Sequence, residues 1–448
     1  MRSFVRVLFF TGFFSALCAS ALDTNWQKFF NHEVSIPSGL PADRIYPQGQ
    51  LFPFTFYSVG GGSEEKRGEL LPAAERESDQ KQIIAAGVTM IGPQYELNDE
   101  SIETARKFGV QVVYTLAPTI DGEKLNRKWL LDHIKEHKKL DEEKIKAAFR
   151  EEIRKVVKHK EIAWWNLIPE ELRFWRKEEM RYMQLVYELI REEDPMQRPV
   201  FMYEPGHRSA SALAKLLPWQ DLSAKGMYMN YSGHKTQRAW ARHSMLQQVK
   251  AIEENGRKEI VPISLPEMFQ QPADEELPLI PAWVRHDVYC TLLHGAKGVM
   301  VFSASKRKNF AAREAYLQAY LEVCRELTGP KKLGQVFLFG KEMQDLECVV
   351  IDGPENVSIT ANKEEYSYPS LSFKNYSWQN MRYLFVVNSS NEPVKAMISG
   401  LVYGSGVTVE DLFNDKASSF TAPEGDIELS LKALETVAYR VSWKKAAK

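Results

Sequence analysis

The chain has 448 residues, 44% hydrophobic and 11% aromatic, with Lys+Arg 58 against Asp+Glu 59 and a formal net charge of −1. That balance excludes a polycationic nucleic-acid binder working through bulk charge, so no nucleic-acid partner is expected. The apolar and aromatic content excludes an acidic disordered chain and suffices for large cores, with two domains expected at this length.

The N-terminus reads Met1-Arg2-Ser3-Phe4-Val5-Arg6, then an apolar run over 7–17, then Cys18-Ala19-Ser20-Ala21. A basic start, a short apolar stretch and an Ala-x-Ala end predict a signal peptide over 1–21 and a secreted or periplasmic protein. The run falls short of the roughly 20 residues of a membrane span, and no membrane span is predicted elsewhere. Cys290, Cys324 and Cys348 then remain, none in a C-x-x-C pair. At most one disulfide can form, and buried free thiols are expected because Cys290 and Cys324 lie in apolar helix patterns.

From about residue 52 the sequence repeats one rhythm of strand-like run, polar loop and amphipathic stretch. The runs are 51–59, 88–95, 110–116, 162–168, 199–204, 226–231, 260–265 and 298–303. Helical patterns fall between them, at 98–108, 178–192, 236–255 and 282–293. The Lys/Glu-rich connection 126–158 is long enough for a helix with a surface insertion. Strands alternating with helices give a parallel α/β sheet. The loop after the first run, Gly60-Gly61-Gly62-Ser63, matches neither a dinucleotide-binding pattern nor a P-loop. A (β/α)8 TIM barrel over 22–330 is therefore predicted, with no cofactor. Past Gly329-Pro330 the runs 336–339, 347–351, 383–387, 395–398 and 437–443 alternate between turn residues, predicting a smaller antiparallel β-sandwich domain over 331–448. Four Asn-x-Ser sequons occur, at Asn230, Asn356, Asn375 and Asn388.

In such a barrel the site lies at the carboxyl ends of the strands. Two runs deliver the same tip there: Ile168-Pro169-Glu170 after the fourth and Leu265-Pro266-Glu267 after the seventh. Facing carboxyls are what glycosidic-bond cleavage needs, one protonated to help the leaving oxygen depart and one ionised to attack or to activate water. Pro-Glu also opens helices, and Glu171 is expected to do so. Glu204, at the fifth strand, is a third candidate acid. Tyr57, Tyr95, Tyr114, Asn166, Glu204, His207, Tyr228, Asn230, Tyr231 and His234 sit at or near strand ends. They supply the aromatic faces and polar groups that suit a carbohydrate partner. No H-E-x-x-H, close His pair or G-x-S-x-G occurs, so neither a metal site nor a serine hydrolase is predicted.

Acids at the tips of strands four and seven resemble the clan A glycoside hydrolases, retaining (β/α)8 enzymes. The resemblance rests on the barrel order and these two residues. It implies that Glu170 is the acid/base and Glu267 the nucleophile of a hydrolase acting on an oligo- or polysaccharide. The sequence departs from that clan at Pro169, where Asn is usual, and in Val301-Phe302-Ser303-Ala304, where Trp often follows the eighth strand. Two alternatives stand beside this reading. One is a non-catalytic carbohydrate-binding barrel. The other is a polysaccharide lyase, with Tyr or His abstracting a proton and Arg208 or Arg285 neutralising a uronate.

Overall fold

Eight short parallel strands make one sheet: β1 (Phe54–Phe56), β2 (Met90–Gln94), β3 (Gln111–Leu116), β4 (Ile162–Leu167), β5 (Val200–Glu204), β6 (Leu222–Met227), β7 (Val261–Pro266) and β8 (Val299–Val301). The computed structural model describes residues 52–61, 70–94, 97–401, 407–413, 419–422 and 426–443. The predicted signal peptide at 1–21 and Tyr95 lie outside the described residues.

Neighbours follow chain order from β2 through β8 to β1. Every strand residue is buried, because side chains alternate between the barrel interior and a layer of outer helices. β8 pairs with β1 in the register Phe54↔Val299. Between β1 and β2, Thr89 makes the closure: its N–H donates to Phe54 O (3.2 Å), and its Oγ1 accepts from Phe54 N (2.9 Å).

The outer layer comprises α1 (Ala73–Ala85), α2 (Asn98–Phe108), α3 (Arg127–His137), α4 (Glu142–Val156), α5 (Lys177–Glu193), α6 (Ala210–Ala214), α7 (Trp240–Asn255), α8 (Ile280–Leu293) and α9 (Arg313–Thr328). The long third connection holds two helices, each with its own start. Asn126 caps α3 by accepting from Trp129 N (2.9 Å), and Asp141 caps α4 by accepting from Lys144 N (3.2 Å). Cys290 and Cys324 are buried, Cys348 is half-buried, and all three are free.

Two sequence expectations shift. The sixth strand is Leu222–Met227 rather than 226–231, and Tyr228–Tyr231 is loop. The 336–339 run is not a strand but part of helix α10 (Leu333–Phe339), whose Val336, Phe337 and Leu338 are buried.

The C-terminal region is antiparallel β. It runs through β9 (Lys341–Met343), β10 (Glu347–Asp352), β11 (Asn356–Ala361), β12 (Glu364–Pro369), β13 (Leu371–Trp378), β14 (Met381–Asn388), β15 (Val394–Ser399), β16 (Val407–Asp411), β17 (Ser419–Ala422), β18 (Ile427–Leu431) and β19 (Thr436–Trp443). A six-stranded sheet (β9-β13-β14-β19-β16-β17) faces a three-stranded one (β10-β15-β18), with Leu384, Val386, Ala396, Ile398 and Leu429 in the core they share. The other face of β14 packs on the barrel, with Phe385 6.1 Å from Tyr289 and 4.6 Å from Phe337 by ring centroids. The β11–β12 hairpin leans on α7, where His243 Nδ1 and Tyr368 Oη are 2.7 Å apart. Of the sequons, Asn375 and Asn388 are buried at 1% and 0% exposure, so this fold leaves neither amide open to a glycan. No helix among the described residues is long and apolar enough to cross a membrane.

Candidate functional site

The tips of β4 and β7 do not open helices. After Glu170 the backbone runs on for six residues before α5 begins at Lys177, and Glu171 takes φ 60° instead of capping, pairing with Arg127 Nη1 at 2.9 Å. After Glu267 the next helical turn starts at Asp274. The capping explanation for these acids is thereby removed.

Glu267 continues β7, bridged in parallel to Phe302 beyond β8. The residue is only 6% exposed, and its carboxyl accepts two backbone N–H groups from the β6–α7 loop, Asn230 N on Oε1 (2.5 Å) and Tyr231 N on Oε2 (3.2 Å). That loop is held in turn. Asn230 Nδ2 donates to Tyr316 Oη (2.9 Å), and its Oδ1 accepts from Arg238 Nη2 (3.3 Å). Arg238 donates to Asp287 Oδ2 (2.5 Å) and stacks on Trp283. Burial pushes the Glu267 carboxyl up to about 7, while the two N–H groups and Arg238 pull the other way.

Glu170 is half-buried and follows a cis Ile168-Pro169 bond, where Ile168 O accepts from Tyr182 Oη (2.5 Å). Its charge is felt by Tyr203 and Tyr228, whose hydroxyls are raised first by burial and further by this carboxylate. Those rings stack at 6.1 Å. Gly226 permits that approach, since a Cβ there would lie 2.8 Å from Tyr203 Oη. Phe302 joins them, 6.4 Å from Tyr203, 5.7 Å from Tyr228 and 5.1 Å from Tyr57. Phe269 lies 5.0 Å from Tyr228 and 5.7 Å from Tyr231, which is 67% exposed. Glu170 thus acts through its charge on the Tyr203–Tyr228 pair, while Glu267 reaches the same cluster through its backbone, paired with Phe302 and held by the N–H of Tyr231.

The other sequence candidates go elsewhere. Tyr114 is turned outward and donates to Glu152 of α4 (2.8 Å). Asn166 is fully buried inside the barrel, its Nδ2 donating to Thr115 Oγ1 (3.1 Å). Glu204 is locked by an ion pair with Arg208 and by Gln220 Nε2 (3.0 Å), so it is no substitute for Glu170. His207 and His234 line a different cavity, taken up below. Sequence reading missed Phe269 and Arg307, whose guanidinium lies 5.0 Å from the Phe269 ring and 5.5 Å from that of Phe302. Both sit in loops without a motif, three or more residues beyond the strand ends. Among the described residues no group of His, Cys, Asp and Glu is arranged to hold a metal ion.

No protein-family model matches the sequence, and no curated protein matches it. Solved structures do. A glycoside hydrolase family 5 structure from Bacteroides vulgatus aligns at 12% identity and TM-score 0.54, covering 91% of this chain and 94% of that one. An alpha-amylase from Geobacillus thermoleovorans aligns at 10% identity and TM-score 0.52, covering 88% and 98%. An alpha-amylase from H. orenii aligns at 12% and 0.51, covering 87% and 99%. At these identities the likeness is one of fold. What the chain shares with these three structures is its fold, over 87–91% of its length.

Proposed function

We propose that the chain hydrolyses a glycosidic bond of an oligo- or polysaccharide with retention of configuration, using Glu170 as acid/base and Glu267 as nucleophile. The observation that carries this reading is that the acids ending β4 and β7 both adjoin the Tyr203–Tyr228–Phe302 rings, Glu170 through its charge and Glu267 through its backbone, and that neither opens a helix. Glu170 passes its proton to the leaving oxygen as Glu267 attacks the anomeric carbon; the C–O bond breaks and a glycosyl ester forms. Glu170, now ionised, takes a proton from water, which attacks the same carbon and frees Glu267. The Asn230 and Tyr231 N–H groups direct the Glu267 oxygens, and the exposed Tyr231 ring offers a face for sugar C–H groups. Fold likeness to structures described as glycoside hydrolases supports the substrate class. The leader-like 1–21 segment supports action outside the cytoplasm, with 22–330 as the catalytic domain.

The lyase alternative has less support, because both of its arginines are committed: Arg208 to Glu204, and Arg285 to Glu322 and Glu326. One observation favours the binding-barrel reading, namely that Pro169 stands before Glu170 where the resembled enzymes usually carry Asn. A glycan screen reading reducing ends and ultraviolet absorbance, run with Glu267→Gln and Glu170→Gln, decides among the three. Hydrolysis predicts reducing ends without ultraviolet product, abolished by Glu267→Gln. Glu170→Gln should lose roughly 10²–10⁴-fold, most on substrates with poor leaving groups. Glycan binding without any product in the wild type would establish the binding barrel instead.

A further inference from the structure

A second cavity, of about 220 Å³, includes neither Glu170 nor Glu267. It lies on the outer side of the barrel, between the β5 and β6 tips, α7 and the turn of the β11–β12 hairpin at Ala361 and Asn362. Its charged member without an ion pair is Lys225 of β6. Side chains alternate along a strand, and Ser223 Oγ donates to Gln248 Oε1 of α7 (3.2 Å), so Lys225, two residues on, also faces the helix layer.

Lys225 is 2% exposed, yet its amine has no hydrogen bond or ion pair among the described residues; its polar contact is the Trp240 ring, 5.6 Å away. The other walls do not neutralise it. No aspartate or glutamate lines the cavity, and the charge of Arg208 is already matched by Glu204. His243 stays neutral, because burial, then Lys225 and His234, push its imidazole down to about 4. A buried cation without a counter-charge is costly, and His207 and Ser232, both exposed at the rim, can donate hydrogen bonds.

We propose that this cavity binds an oxyanion, the carboxylate, phosphate or sulfate of a small solute, with Lys225 as its counter-charge. The proposal does not rest on the glycosidase reading. Burial pushes the Lys225 amine down to about 7, in keeping with a charge that lacks its partner. Against the ~30 Å³ that a water occupies in the liquid, the volume admits more than a bare ion, so the oxyanion has two sources, an acidic monosaccharide and a free inorganic anion.

The test is calorimetric titration of the full chain with sodium sulfate, sodium phosphate and sodium glucuronate, with glucose as neutral control and sodium chloride holding ionic strength constant. One saturable site for at least one oxyanion is expected, and none for glucose. Tighter glucuronate than sulfate identifies an acidic sugar as the source; the reverse identifies a free anion. Lys225→Met keeps the volume and should lower the affinity roughly tenfold or more. Ser232→Glu, at an exposed rim position, places a fixed carboxylate beside the cavity and should weaken binding without disturbing a buried residue. Glu267→Gln should bind the anion as the wild type does, whatever the chemistry at the barrel mouth. Absence of saturable binding, or binding that survives both Lys225→Met and Ser232→Glu, would overturn the proposal.

Discussion

Glu267 illustrates how opposed influences leave one residue poised. Its carboxyl rises to about 7 from an ordinary 4.5, so in the window between these values the folded chain holds a proton that the unfolded chain has released. Folding is favoured at the acid end of that window, and this contribution is lost as pH rises through it. Chemistry runs the other way, since a nucleophile must be ionised. If Glu267 attacks, kcat/KM should rise with pH through an apparent pKa near 7, measured on a substrate whose leaving group needs no proton. A limb that instead falls near 7 would make Glu267 the proton donor and reverse the assignment of the two acids.

At the scale of elements, the α5–β5 junction shows what a buried charge requires. Asp194, fully buried, accepts from Trp165 Nε1 (2.8 Å), Arg198 N (2.9 Å) and Arg198 Nη1 (3.3 Å), tying β4, α5 and the approach to β5 together. Asp194→Ala should cost about 3–5 kcal/mol in denaturant unfolding, because Arg198 is left buried without its anion. Adding Arg198→Met should recover part of that loss, and a double variant no better than the single one would contradict the account. Elements were legible where pattern and burial agree. α2 falls at the predicted residues, and seven of the eight observed barrel strands lie wholly or almost wholly within predicted runs. β6 was displaced in the reading because Ser223, Lys225 and Gly226 break an apolar run, the very residues whose outward or crowded positions only the fold explains. Glu170 and Glu267 could be picked out, since Pro-Glu recurs after two runs. The absence of helices behind them could not, because the same dipeptide serves both ends. Likewise His207 and His234 sit at strand ends yet face outward, a direction that sequence spacing does not encode.

For the molecule as a whole, barrel and sandwich share one core. Tyr289 and Phe337 on the barrel side meet Tyr376, Phe385 and Ala438 on the other, and Lys331 Nζ reaches Leu412 O at 2.5 Å. A chain ending at Pro330 should therefore expose α8 and α9 and aggregate, read by light scattering and by loss of cooperative unfolding. A soluble monomeric fragment with a sharp transition would show the two parts to be independent. The pairing of β1 with β8 carries a different consequence, in time. Phe54 and Val299 are 299 − 54 = 245 residues apart, so at roughly 5–20 residues per second β1 leaves the ribosome about 12–50 s before its partner is made. A nascent chain must hold an unclosed sheet for that interval, with the β8-facing edge of β1 and the edge of the latest strand made both unpaired. It must wait again until Phe385 and Ala438 emerge before the α8 surface is covered. Completion of this fold thus waits on synthesis of the sandwich strands, and the nascent chain is most vulnerable to association with its neighbours on the polysome while the barrel is still open.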